Sequence, residues 1–388
     1  FAVFGILAFN IVGFATAVFF PGYVPPELAW YDELAETLTL FFAEGKFYSL
    51  FSFLFGLGFA ILYQRVEARG LRFGPVYARR MLALMVFGLI HAYFIWIGDI
   101  LFLYSLLGFL LLLFFRKAKP KTLIVWAVIC LLLPLLFNAG VAVLITLGSM
   151  VPEGAAAIDA QFGAQARLYA SLAAQADRVY ATGTYAAVTA QRASDMNYMF
   201  GSIPFMGFNV LAMMLLGVWA GRKGVFADIP ANLPRFRKWL VWGLVVGGIG
   251  NLAYVIAGEY SNRAVPDLIN LVAVTGQTFG APALAFFYLS ALTLLAERPG
   301  WKRRLAPLAA AGRMAITNYL MMSIICTTIF YGYGFGLYGI GAALGILVTI
   351  AIYAVELLWS PWWLKRFRFG PVEWLWRTIT YWKRQPMH

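Results

Sequence analysis

Residues 79–99 read RRMLALMVFGLIHAYFIWIGD: a basic pair, a nearly unbroken apolar run, then an acid. A run of about twenty apolar residues is what a helix needs to cross a hydrocarbon core roughly 30 Å thick. About ten such runs occur, at 1–20, 45–63, 80–97, 99–115, 122–149, 197–220, 239–258, 267–295, 313–331 and 338–359. Charge sorts between the connections that join them. The alternate connections 64–80, 116–121, 221–238, 296–313 and 364–388 hold 25 of the 30 Lys and Arg but 4 of the 17 Asp and Glu. The remaining connections hold 5 basic and 12 acidic residues, with Glu356 inside the last run. Cytoplasmic loops carry the Lys/Arg excess, so the basic side is read as the inside. The expected fold is all-α: a polytopic membrane helical bundle of about ten transmembrane helices with cytoplasmic N- and C-termini. The expected location is the bacterial inner membrane, crossed many times.

Composition agrees. Apolar residues make up 62 % of the chain and charged residues 12 %, far from the balance of a soluble domain. The basic excess lies on one membrane face, where anionic headgroups account for it, so nucleic acid is not an expected partner. Cys130 and Cys326 both fall within apolar runs, which argues against a disulfide framework. The chain opens at Phe1 inside an apolar run, without Met or a basic flank, so preceding sequence and a longer first helix are expected.

Residues 1–359 read as one transmembrane bundle and 360–388 as an interfacial tail. In the tail, aromatic residues (Trp362, Trp374, Trp376) interleave with basic ones (Lys365, Arg366, Arg377), a pattern that seeks the headgroups of an anionic leaflet. The outer connection 150–196 carries Leu168, Leu172 and Val179 at helical spacing, which fits either a lid-like helix or a solvated linker. The acidic outer segment 21–44 (Glu27, Asp32, Glu33, Glu36, Glu44) opens with Pro21, Pro25 and Pro26 and predicts a short amphipathic helix near 30–42. Glu44 and Lys46 are read as the outer end of the second span. Five glycines alternating with aromatics between 331 and 341 read as a tight outer turn rather than an ion filter.

His91 is the one histidine besides the C-terminal His388. Eleven residues beyond Arg80, it lies about 16 Å along its helix, near the middle of the hydrocarbon. Ionisable groups at that depth face a bundle interior or a wet cavity. As a neutral imidazole, His91 suits a general base toward a hydroxyl or amine; it also suits a hydrogen bond to a neighbouring helix. Asp99 invites a His–Asp dyad, but eight residues of continuous helix rise about 12 Å, so Gly98–Asp99 reads first as a tight outer turn capping the next helix. Asn10 and Gln277 lie at comparable depth and fit either support of His91 or helix–helix hydrogen bonding. Arg79, Arg80 and Arg313 fit a phosphate-binding mouth or ordinary positive-inside flanking. Asn318 and Glu356 are polar groups near the inner face. No metal-ligand spacing, P-loop, nucleophile elbow or dinucleotide fingerprint occurs, and no metal is expected.

Four blocks carry a resemblance. They are Gly45–Lys46–Phe47 through Gly56–Leu57–Gly58; Arg79–Arg80, Gly88–Leu89–Ile90–His91–Ala92 and Gly98–Asp99; Gly312–Arg313–Met314–Ala315 with Thr317–Asn318–Tyr319; and Phe369–Gly370–Pro371 with Glu373–Trp374–Leu375–Trp376–Arg377. With them the chain resembles, end to end, the YeiB-like family of inner-membrane proteins, the domain-of-unknown-function 418 group. That family is grouped distantly with transmembrane acyltransferases. The resemblance implies an acyl group carried from cytoplasmic acyl-CoA to an acceptor at the periplasmic side, with no covalently bound cofactor. Arg79, Arg80 and Arg313 would then hold the CoA phosphates, and His91 would be the base. Better-known members of the wider group carry their catalytic His in or just after the first span, where this chain has Asn10; the role of His91 rests on position. Two other classes stay open: a small-metabolite transporter, and an accessory subunit of a membrane complex.

Overall fold

The computed structural model describes residues 1–20, 23, 29–261 and 265–388, with side chains 199–200 and 202–205 left aside. Pro21, Pro25, Pro26 and Glu27 lie outside the described residues. Every regular element among the described residues is helical: α1 (Ala2–Ala15), α2 (Trp30–Phe42), α3 (Lys46–Glu67), α4 (Phe73–Ile90), α5 (Leu101–Leu110), α6 (Pro120–Ser149), α7 (Pro152–Thr182), α8 (Tyr185–Arg222), α9 (Ile229–Tyr260), α10 (Leu268–Ala296), α11 (Trp301–Arg304), α12 (Ala306–Arg313), α13 (Ala315–Phe330), α14 (Ala342–Leu364) and α15 (Pro371–Tyr381). α4 and α5 each run on as one wide π-helical turn, His91–Ile95 and Leu111–Phe115.

Six helical runs are long and apolar enough to cross a membrane: Trp30–Glu67, Phe73–Ile95, Pro120–Ser149, Ile229–Tyr260, Leu268–Ala296 and Ala342–Leu364. α12 and α13 qualify together but bend by 82°, and Ala2–Ala15, Leu101–Phe115 and Met206–Arg222 are shorter apolar helices. Outward-facing Leu136, Leu144, Trp242, Ile249, Leu347 and Leu358 are exposed. Large exposed apolar side chains on so many long apolar helices fit a lipid-facing surface. The chain is a multi-pass membrane protein.

Three sequence expectations need correction, and each concerns where a helix breaks. The α2–α3 break at 43–45 is not at an outer end. Gly45 (φ +81) packs against Ala281 with no room for a Cβ, thirteen residues and about 20 Å along α10. Lys46 is 0 % exposed, and its Nζ donates to the Leu40 carbonyl (2.7 Å). α2 is amphipathic as expected and leads across this break into α3, the two forming one apolar run, Trp30–Glu67. Charges read as a boundary are instead held inside by tertiary partners.

The Gly98–Asp99 turn is likewise internal. Trp96 is fully buried, its ring stacked on Phe14 (3.8 Å between centroids) and its Nε1 donating to the Gly13 carbonyl (3.3 Å). Third, the stretch 150–196 is divided between two helices. α7 ends at Thr182 and α8 begins at Tyr185, running without interruption into the apolar stretch Met206–Arg222. The C-terminal part of α7 docks through Asp177, whose Oδ1 accepts from the Ala17 N–H (2.9 Å) and the Tyr338 hydroxyl (2.7 Å).

The tail packs against the bundle at the basic end. Glu373 of α15 accepts from the Ile316 N–H (2.7 Å) and Thr317 N–H (3.0 Å), satisfying the exposed donors at the start of α13. Trp376 Nε1 donates to the Arg80 carbonyl (2.8 Å), and the Arg80 guanidinium lies 3.4 Å from the Trp376 ring centroid. The repeated Arg-Phe-Gly-Pro-Val segments at 72–76 and 368–372 begin α4 and α15, which touch.

Candidate functional site

Gly88 determines how close α5 comes to α4. A Cβ there would meet the Phe102 backbone nitrogen and Asp99 Oδ1, so only glycine admits the approach. One turn later the π-helical turn widens the helix, and the chain breaks at Trp96 in extended conformation (φ −158, ψ 136). The break folds Asp99 back over His91. His91 Nδ1 lies 2.8 Å from Asp99 Oδ2, with the ring 0 % and the Asp99 side chain 3 % exposed. The other carboxylate oxygen, Oδ1, accepts from the Phe102 N–H (2.7 Å) and caps α5. The cap and the dyad, alternatives in the sequence, are made by the two oxygens of one carboxylate.

A carboxylate only accepts hydrogen bonds, so the proton between them sits on Nδ1, and the neutral ring then carries its lone pair on Nε2. Nε2 is buried without a hydrogen-bond partner. The Tyr319 ring lies 4.9 Å away and the Trp96 ring 6.3 Å, and the Tyr319 hydroxyl donates to the Gly98 carbonyl (3.2 Å). This is an oriented imidazole with a free base nitrogen, the arrangement general-base chemistry requires.

Two cavities lie toward the basic and the acidic ends of the bundle. At the basic end a cavity of about 600 Å³ is lined by Arg65, Arg69, Arg80, Arg377 and Lys383, with no acidic residue in its wall. Its Tyr77 hydroxyl and Arg377 Nε are buried without partners. At the acidic end a cavity of about 1030 Å³ runs from Tyr338 and Asp177 down α1 and α2 to Glu44. Phe19 in its wall lies 5.6 Å, ring to ring, from Trp96. Neither cavity has His91 in its wall; the Phe19–Trp96 pair stands between the imidazole and the larger one.

The other candidate residues separate into distinct places. Gln277 Nε2 (3.1 Å) and the Tyr254 hydroxyl (2.8 Å) donate to Glu44, at the floor of the larger cavity. Asn10 is half-buried on α1 and makes no hydrogen bond among the described residues. Of the three arginines, only Arg80 lines the basic cavity. Arg79 Nε donates to the Thr380 carbonyl (3.0 Å) and Arg313 Nη2 to the Arg368 carbonyl (3.1 Å), so both pin the tail. Asn318 joins α12, α13 and α14, donating to the Ala311 carbonyl (3.2 Å) and Ser360 (3.1 Å). Glu356 is buried in α14, both its oxygens without a hydrogen-bond partner. Sequence reading missed Arg65, Arg69, Arg377 and Lys383 as a cluster, because only the docking of α15 brings them together.

A multi-pass helical membrane protein with a buried His–Asp pair and two cavities is the class these features define. The family described as "Protein of unknown function (DUF418)" matches residues 220–383. The chain is 37 % identical to the "Uncharacterized protein YxaH" of Bacillus subtilis, covering all of this chain and 93 % of that one. It is 29 % identical to the "Uncharacterized protein YeiB" of Escherichia coli, over 98 % of this chain and 93 % of the relative. The chain belongs to this YeiB-like DUF418 family. No solved structure matches it.

Proposed function

We propose that the protein is a ten-span inner-membrane acyltransferase, both termini cytoplasmic, that passes an acyl group from cytoplasmic acyl-CoA to an acceptor entering from the periplasmic side. The observation that carries this reading is the 2.8 Å His91–Asp99 pair with Nε2 unpartnered, in a bundle that also holds a basic cavity and a larger one lined by Glu36, Glu44, Asp177 and Arg178. Arg65, Arg69, Arg80, Arg377 and Lys383 hold the donor's phosphates by charge-assisted hydrogen bonds. The acceptor's hydroxyl or amine comes down the larger cavity, where Glu44 and Asp177 orient it. The Phe19–Trp96 pair must swing aside for it to reach His91.

Nε2 then takes the acceptor proton as its oxygen or nitrogen attacks the thioester carbonyl. The tetrahedral intermediate collapses, the carbon–sulfur bond breaks, and the CoA thiolate leaves, taking the proton back from the imidazolium. Asp99 holds Nδ1–H throughout and stabilises the imidazolium. Protein in lipid nanodiscs, given labelled acetyl-CoA and periplasmic glycans or lipids, should label an acceptor; His91→Ala should lose about 10²–10⁴-fold in kcat. Arg65→Gln and Arg377→Gln should raise the donor KM with kcat little changed. Equal labelling by wild type and His91→Ala would remove the proposed role.

A second reading, a small-metabolite transporter, is favoured by the two internal breaks at 43–45 and 96–100, since broken helices build midplane binding sites in transporters. Uptake into proteoliposomes that is lost in Glu44→Gln but retained without any acyl donor would select it.

A further inference from the structure

Arg192 belongs to none of the features above, and its surroundings are unusual for a cation. It lies in α8, before the apolar stretch, and is 0 % exposed. Its Nη1 donates to the Tyr93 carbonyl (3.3 Å), in the π-helical turn that begins at His91. Nε and Nη2 are buried without a partner. Asp195, one turn along α8, does not neutralise it: its two oxygens accept from the Tyr180 hydroxyl (2.6 Å) and Gln191 Nε2 (2.7 Å). The ion pairs among the described residues are His91–Asp99 and Lys302–Glu297, so Arg192 is in none. The Tyr185 and Tyr331 rings flank it at 5.7 and 5.8 Å, the outer limit of cation–π attraction.

A buried cation is ordinarily paired and fully hydrogen-bonded. Here the two unpartnered nitrogens are adjacent. Nε–H and the neighbouring Nη2–H form the parallel fork that grips a carboxylate or phosphate bidentately. Nη1, tied to Tyr93, holds that fork in orientation. Tyr185 forms the outer wall: half exposed, it donates its hydroxyl to the Phe94 carbonyl (2.8 Å) and stands one short hinge, Gly183–Thr184, from the end of α7.

We infer that Arg192 is an oxyanion-binding site beneath Tyr185, taking a phosphate or carboxylate either free in solution or carried on a lipid headgroup. Binding is read without turnover, so the inference stands apart from the acyl-transfer reading. Delipidated protein in detergent would be unfolded thermally across a titration of inorganic phosphate, against chloride at matched ionic strength. A second arm compares nanodiscs of phosphatidylglycerol and phosphatidylcholine.

Wild type should show a saturable upward shift in one arm or both, and Arg377→Gln, which removes one phosphate contact of the basic cavity, should keep a saturable shift of its own. Arg192→Gln should lose at least tenfold in apparent affinity, and Arg192→Lys, which keeps the charge but not the fork, should fall between. A response to phosphate identifies a soluble oxyanion; a response to phosphatidylglycerol alone identifies a headgroup. Should neither Arg192 variant fold, Tyr185→Ala leaves the arginine in place and should weaken the response severalfold. A response of Arg192→Gln equal to wild type in both arms overturns the inference, as does an unchanged response in Tyr185→Ala.

Discussion

Replacing Asp99 by Asn separates the two tasks of that carboxylate. In the wild type, Oδ1 caps α5 through the Phe102 N–H (2.7 Å) and Oδ2 holds His91 Nδ1 (2.8 Å). Asn caps helices about as well as Asp, so its carbonyl keeps the Phe102 bond. Its amide then faces Nδ1 as a donor, which forces Nδ1 to accept and moves the ring proton to Nε2. A hydrogen bond to a charged group is worth about 1.5–3 kcal/mol, and every 1.4 kcal/mol is about tenfold. The Nδ1–H tautomer should therefore exceed the other by roughly 10- to 150-fold in the wild type, and Asp99→Asn should reverse the preference. Asp99→Ala loses both bonds: about 1 kcal/mol for the cap and 1.5–3 for the charged bond. That variant should unfold several degrees earlier, while Asp99→Asn stays near the wild type. The chain holds two histidines, so nitrogen NMR of ¹⁵N-histidine protein carrying His388→Gln reads His91 alone. A wild-type ring protonated at Nε2, or an Asp99→Asn ring that keeps the wild-type tautomer, refutes the orientation argument whatever the activity.

Glu373→Ala strips the start of α13 of its two backbone bonds and of Thr317 Oγ1 (2.5 Å), and should cost about 2–4 kcal/mol; faster hydrogen exchange across 371–388 checks it. Gly88→Ala drives a methyl into Phe102 N and Asp99 Oδ1 and should destabilise by about 1–3 kcal/mol while disturbing the His91 resonance. Gly140→Ala, with open space around its added methyl, should be neutral or gain up to about 1 kcal/mol. Asp195 precedes the apolar stretch of α8, and burial raises its carboxyl above the usual range against the lowering effect of its bonds from Tyr180 and Gln191. The folded state therefore holds that proton more tightly than the unfolded chain, so its stabilisation is complete below the unfolded pKa and fades as pH rises through the folded one. Thermal unfolding from pH 3 to 8 should show Asp195→Asn losing that part of the decline.

Charge sorting and apolar runs made the helical, membrane-crossing character legible, because lipid imposes both on every span independently of its neighbours. They failed at the breaks for the same reason. Glu44 and Lys46 look like an end because charge in an apolar run usually meets water; here Tyr254 and Gln277, more than two hundred positions away, receive Glu44. A local signal existed in Gly45, whose positive φ (+81) lets the chain turn before α3. His91 and Asp99 were legible as a possible pair but ranked behind the cap, since a straight helix holds them about 12 Å apart. Only the π-helical turn and the glycine contact at Gly88 bring the two together. The basic chamber was legible as a side of the membrane and not as a set of residues, because Arg377 and Lys383 reach Arg65 only when α15 folds under α4.

Three helices from separate parts of the chain hold the break that makes the dyad. α1 receives Trp96 through Gly13 and Phe14, α13 reaches the Gly98 carbonyl with Tyr319, and α8 grips the carbonyls of Tyr93 and Phe94 with Arg192 and Tyr185. The α8 contacts fall two and three residues after His91, on a turn whose backbone already departs from α-helical bonding. A shift of the first turns of α8 thus pulls on the backbone that sets the imidazole's height over Asp99. α7, joined to α8 by two residues, is fastened to Ala17, just past α1, and to the 331–341 loop at the larger cavity through Asp177. Displacing α7 must therefore act on the mouth of that cavity and on the His91–Asp99 geometry together. A displacement of α7 that left the dyad undisturbed would require Tyr185 and Arg192 to release the turn first.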